Sequence, residues 1–140
     1  DVMNILNKKS GLLGVSGISS DSRDVETAAN EGNKRAILAQ DLQIKTILDY
    51  IGSYYVYMEG IDAIVFTAGI AENCADFRKR VLDRVKVLGV EYDEELIKIR
   101  RTQLEISTPN SKIKVFVGVV EVKEKWLMVI YGDTIIKVCG

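Results

Sequence analysis

Residues 62–73 read DAIVFTAGIAEN. An apolar run stops at Thr-Ala-Gly, and a carboxylate and an amide follow at once. Ala63 to Thr67 has the composition of a strand buried on both faces, as in the parallel sheets of α/β proteins. Such a strand delivers the chain to its carboxyl end, where ligands bind in open α/β sheets. Gly69 lets the backbone turn sharply and admits a ligand close to it. The pattern predicts a helix starting near Asn73 or Ala75, whose amino end offers unpaired N–H groups and a positive dipole end. Asn73 can donate or accept a hydrogen bond. Glu72 repels phosphate, so the turn suits the sugar, the base or the α-phosphate end of a nucleotide better than a triphosphate. Spacing alone favours an ordinary strand-to-helix turn capped by Asn73.

A second stretch, GISSDSRD at residues 17–24, joins a glycine- and serine-rich loop to a carboxylate and a cation. Arg23 could lie over an adenine ring or contact phosphate. Asp21 could accept hydrogen bonds from ribose hydroxyls or the adenine amino group. Taken alone, the stretch reads as a helix cap with an Arg23–Glu26 or Arg23–Asp24 surface pair worth roughly 0–1 kcal/mol.

Composition removes other chemistries. The chain has 140 residues and no histidine, which excludes histidine catalysis and histidine-ligated zinc within it. Its two cysteines, Cys74 and Cys139, show neither metal spacing nor a disulfide framework, and read as reduced thiols of a cytoplasmic protein. With 20 acidic against 19 basic residues, it is not built to hold nucleic acid. The basic runs at 78–80 and 98–101 read as solvated helix faces. No stretch of 18 apolar residues suggests a membrane span, and residue 1 does not start a signal peptide. The absence of an initial Met suggests a fragment or a trimmed chain. No G-x-G-x-x-G follows a strand, so a Rossmann dinucleotide domain is disfavoured.

The elements that would position the two stretches can be read from periodicity. Residues 2–6 look like the end of a helix. Residues 11–20 hold three glycines and three serines and read as a loop. Ser20 or Asp21 could cap a helix running to about Asn30. Residues 34–58 carry apolar side chains at spacings of three and four, predicting a helix ~37 Å long at about 1.5 Å per residue. Its apolar face is wide enough to be largely buried or to pack on a partner chain. Further helices are expected at 74–88, with Phe77, Val81, Leu82, Val85 and Leu88 inward, and at 93–103. Short strands are expected at 105–107 and 112–117, around a turn at 108–111. By propensity, residues 126–138 form a hairpin turning at Gly132-Asp133. The order is that of an α/β fold.

Together the two stretches resemble the acetate kinase family. LNKKSGLLGVSGISSDSRD and DAIVFTAGIAEN are similar to the family's carboxyl-terminal adenosine-binding segments, in the same order and at about the same separation. NEGNKRAILAQD, VLDRVKVLGVEYDEE and EISTPNSKIKV extend the likeness over about residues 2–117. The resemblance implies a partial actin/hexokinase/Hsp70-like ATPase (ribonuclease H-like) domain with a mixed sheet flanked by helices. It implies a magnesium-dependent cytoplasmic homodimer, associating through carboxyl-terminal domains, that converts acetate and ATP to acetyl phosphate and ADP. By the same resemblance, Asp21, Ser22 and Arg23 form one wall of the adenosine site. Gly69, Ile70, Ala71, Glu72 and Asn73 form the other.

Three departures from the family pattern stand out. Ser22 occupies a position that usually holds a bulky residue, which weakens packing on the base. Ala71 stands where the family has Gly; were φ positive there, Ala would cost about 1 kcal/mol or more. After Val117 the chain reads GVVEVKEKWL instead of the family's Ile-Pro-Thr-Asn-Glu-Glu-Leu. The magnesium-binding Glu of that motif falls on Val122 or Lys125, and neighbouring Glu121 and Glu124 match neither count. No metal ligand is therefore assigned, and residues 118–140 are expected to be a divergent tail. The resemblance favours a helix there over the hairpin. The family's acyl pocket, catalytic arginines and histidine, and phosphate loop all lie upstream of these segments. Residues 1–140 thus read as a carboxyl-terminal nucleotide-binding part that holds no catalytic residue and leaves the acyl substrate open. The alternative is a non-catalytic dimerisation module in which the helix at 34–58 and its tyrosines make the contacts and the nucleotide loops are vestigial.

Overall fold

The computed structural model describes residues 1–118, 126–131 and 134–139. Two compact units divide within one long helix, after Thr46.

The first unit is helical. Helix α1 runs Val2–Lys8, α2 Gly11–Ser16 and α3 Ser22–Asn30, and α4 (Lys34–Tyr57) begins here. The expected loop at 11–20 is therefore half wrong. Leu12 and Val15 pack against Val25, Ala36 and Ala39, and that apolar contact outweighs the low helix propensity of glycine and serine. The end of α2 is closed by a cation, because the Arg35 guanidinium donates to the carbonyls of Val15 (2.9 Å) and Gly14 (3.2 Å). Helix α3 starts where the sequence placed it, with the Asp21 side chain accepting from the Arg23 backbone N–H.

Helix α4 matches its sequence pattern in extent, but its apolar stripe is only partly covered. Ala36, Ala39, Ile44, Ile47 and Ile51 are buried, whereas Ile37, Leu38, Leu42, Tyr50, Val56 and Tyr57 are exposed.

The second unit carries a five-stranded mixed sheet in the order β2-β3-β1-β4-β5. Its strands are β1 Ala63–Thr67, β2 Leu104–Glu105, β3 Lys114–Val117, β4 Trp126–Tyr131 and β5 Thr134–Cys139. β1 is central and runs parallel to both β3 and β4. All five of its residues are buried, as its unbroken apolar run requires. The edge strands β2 and β5 are antiparallel to their neighbours. The paired β4 and β5 correct the helix that the family resemblance favoured for this stretch and agree with the propensity reading. β-branched side chains crowd residues 129–138, which suits a pleated ladder better than a helix. The hairpin's expected turn at Gly132-Asp133 lies outside the described residues.

Beyond β1, α5 (Gly69–Asn73) and α6 (Ala75–Val85) follow with only Cys74 between them, and a 3₁₀ turn at Lys86–Leu88 closes the second at Gly89. Phe77, Val81, Leu82 and Val85 face inward as expected; Leu88 is only half-buried. The helix expected at 93–103 is reduced to one 3₁₀ turn, Leu96–Lys98.

Candidate functional site

The carboxyl end of β1 is a strained turn held by its own side chains. Ala68 adopts φ 59 and ψ 155, a region left almost entirely to glycine. Gly69 follows at φ 31, and a side chain there would meet nothing within 4 Å. Glu72 holds this conformation. Its Oε1 accepts the Ala68 N–H at 2.6 Å and the hydroxyl of buried Thr67 at 3.0 Å, while its own N–H donates to the Ala68 carbonyl at 3.2 Å. The carboxylate is thus directed back into the turn.

Asn73 does not cap the following helix. It ends α5, its side-chain amide donates to the Gly69 carbonyl at 2.8 Å, and Cys74 caps α6 through its sulfur. Gly69 and Asn73 are exposed, Ile70 and Glu72 half-buried, and Ala71 fully buried. Ala71 lies inside α5 and is not among the positive-φ residues, so the strain considered for it falls on Ala68 instead.

Sequence reasoning missed the residue that fixes this turn from below. Arg78, read as part of a solvated basic run, is 0 % exposed. Its Nη1 donates to the carbonyls of Ala71 (2.9 Å) and Glu72 (2.7 Å), and its Nη2 to those of Ile97 (2.5 Å) and Ile99 (3.0 Å). Burial pulls its pKa below the ordinary guanidinium value, and the nearby Cys74 sulfur partly offsets this. Spacing could have found it, since Arg78, Val81, Leu82 and Val85 share one helix face. The same guanidinium explains the shortened helix at 93–103. In a continuing α-helix the Ile97 and Ile99 carbonyls would accept from residues 101 and 103; Arg78 takes them instead.

The second stretch is a self-contained cap. The Asp21 carboxylate accepts the Arg23 N–H at 2.9 Å and the Arg23 guanidinium at 3.0 Å from Nε and 2.5 Å from Nη2. These bonds, the side-chain ones foremost, lower the Asp21 pKa to about 2. An ion pair therefore joins Arg23 to Asp21. Arg23 is 85 % exposed in its side chain, and Ser22, half-buried, opens α3. Residues 21–23 belong to the first unit and residues 69–73 to the second.

The family model of the Acetokinase family matches residues 1–130. This chain belongs to the acetokinase family. It is 56 % identical over 116 residues to the acetate kinase of Aster yellows witches'-broom phytoplasma, covering 83 % of this chain and 28 % of the relative. It is 53 % identical over 117 residues to that of Clostridium botulinum, covering 84 % and 30 %. Among solved structures, Porphyromonas gingivalis acetate kinase superposes with a TM-score of 0.77 at 40 % identity, covering 83 % of this chain and 29 % of that one. A propionate kinase from Francisella tularensis gives 0.73 at 34 % identity, covering 86 % and 30 %. These neighbours confirm the expected ATPase-type fold. The acetokinase-family chain spans under a third of the length of the curated relatives it matches.

Among the described residues no group of three or more Cys, Asp or Glu side chains could hold a metal ion. Val122, Lys125, Glu121 and Glu124 lie outside the described residues. No described helix is long and apolar enough to cross a membrane.

Proposed function

We propose that this chain is the adenosine-binding, carboxyl-terminal part of an acetate kinase. The whole protein would transfer the γ-phosphoryl group of ATP to acetate, giving acetyl phosphate and ADP, as a cytoplasmic homodimer that requires magnesium. Asp21, Ser22, Arg23, Gly69, Ile70, Ala71, Glu72 and Asn73 are assigned to the nucleoside. One observation carries this reading: in a member of this family, Gly69 and Asn73 stand exposed at the turn after a parallel strand. Glu72 turns one carboxylate oxygen back onto the Ala68 N–H and the Thr67 hydroxyl, which lessens the repulsion it would exert on a nucleotide. The Asn73 carbonyl oxygen can accept from the adenine amino group or a ribose hydroxyl. Opening the Asp21–Arg23 pair would present one acceptor and one cation.

Phosphoryl transfer rests on positioning and charge stabilisation of the migrating group. The motifs that supply these in the family are not found in this sequence, so the chain alone should bind without turnover. No step is assigned to magnesium, because the described residues offer no donor set for it. Calorimetric titration with ADP should give heat with the intact chain and markedly weaker binding in Asp21→Ala and Asn73→Ala. Acetyl phosphate formation by the purified chain would contradict the assignment of chemistry to other segments. The exposed apolar side chains of α4 favour one competing reading, an interaction module, and absence of any heat with ADP would select it.

A further inference from the structure

A cleft of ≈ 350 Å³ opens in the second unit beside the Gly69–Asn73 turn, lined by Glu72, Asn73, Arg101, Thr102, Gln103 and Gly118. It sits at the carboxyl ends of parallel strands: α5 follows β1, and Gly118 follows β3, its N–H donating to the Phe66 carbonyl at 2.7 Å. The third wall, residues 101–103, leads into β2. A side chain at Gly118 would be strained at φ 87 and would push Gln103 away, its Cβ lying 2.9 Å from Gln103 Cγ and 3.2 Å from its Cα. The bare backbone of Gly118 thus lets this wall close on the strand end.

Arg101 is the only cation among the lining residues, and it holds φ 56, a conformation rare for any residue but glycine. The backbone leading to it is held by the Arg78 guanidinium on the Ile97 and Ile99 carbonyls. The Arg101 side chain is exposed and pairs with no carboxylate among the described residues. Strain at a non-glycine residue facing a cleft is the pattern of a ligand clamp. The one carboxylate lining the cleft, Glu72, is engaged by Thr67 and Ala68. The Asn73 amide already donates to the Gly69 carbonyl at 2.8 Å. What remains is the planar Arg101 guanidinium beside the Gln103 amide, and a guanidinium fork recognises phosphate oxygens.

We propose that Arg101 binds the 5′-phosphate end of a nucleotide whose nucleoside occupies the Gly69–Asn73 turn. This inference rests on the adenosine reading above and adds to it a phosphate contact on a segment outside both sequence stretches. Arg101→Gly separates ligand binding from folding, because glycine adopts the left-handed backbone freely while the guanidinium is lost. Calorimetry on the 140-residue chain should show ADP binding weakened about tenfold or more in Arg101→Gly, with adenosine affinity unchanged and a thermal midpoint equal to or above that of the parent. Arg101→Lys should retain part of the ADP affinity as a point charge. Unchanged ADP affinity in Arg101→Gly, with Asn73→Ala still weakening both ligands, would overturn the phosphate contact alone. Absence of heat with both ADP and adenosine would overturn the nucleoside assignment and this inference together.

Discussion

Ala68 and Glu72 form a small opposed pair at the end of β1: one stores strain and the other holds it. Replacing Ala68 by Gly removes the steric penalty without touching a hydrogen bond, so Ala68→Gly should stabilise the chain by about 1 kcal/mol. Glu72→Ala should destabilise it by about 1–3 kcal/mol, because the buried Thr67 hydroxyl and the Ala68 N–H lose their acceptor. Urea titrations of the two variants check both signs; equal midpoints would show that the turn is not strained. The turn was legible in the sequence, because an apolar run that stops at Thr-Ala-Gly must leave the sheet there; spacing alone read it as an ordinary turn, and only the family likeness attached its polar residues to a ligand. The strain was not legible. It comes from the path of the backbone between strand and helix, and an Ala–Gly pair looks the same whichever member carries the unusual angle.

Among the elements, regular periodicity survived into the structure. The boundaries of β1, α3 and α4 follow from alternation, capping and three-four spacing. Two expectations failed because contacts distant in sequence overrode local preference. Leu12 and Val15 draw a glycine-rich segment into α2 by packing on Val25 and its neighbours. Arg78 shortens the helix expected at 93–103 by taking two of its carbonyls. The hairpin of β4 and β5 was readable from propensity, and family likeness pointed away from it. Arg78 ties the end of α5 to the segment before β2 through four carbonyls, so its loss should be felt as a unit. Arg78→Met should cost roughly 3 kcal/mol or more, leaving buried acceptors unpaired. Arg78→Lys should recover only part of that, since an ammonium cannot reproduce the guanidinium fork. Denaturant midpoints for the two variants decide this; a Met variant as stable as the parent would show that Arg78 does not hold the turn.

For the whole molecule, titratable contacts set a plateau of stability. Asp83 is held below its ordinary pKa of 3.8 by hydrogen bonds from Lys86 and then Tyr92, and Asp93 by the N–H groups of Leu96 and Glu95. With Asp21 these carboxylates add stability above the unfolded value of 3.8, and it is lost as pH falls through their lower folded values. Lys79, raised by Tyr92 and Glu94, and Lys86, raised chiefly by Asp83, add stability that is full below 10.5 and lost as pH rises through their folded values. No histidine titrates between these limits. The urea midpoint should therefore stay flat from about pH 5 to 8 and fall below about pH 4. A step near neutrality would contradict this.

Division into two units leaves the nucleotide assignment with one decisive check. In a ¹⁵N-resolved titration of the chain with ADP, the amides of residues 21–23 and 69–73 should shift together, along one saturation curve. Shifts confined to one of these segments, or absent from both, would contradict a nucleoside site built from the two.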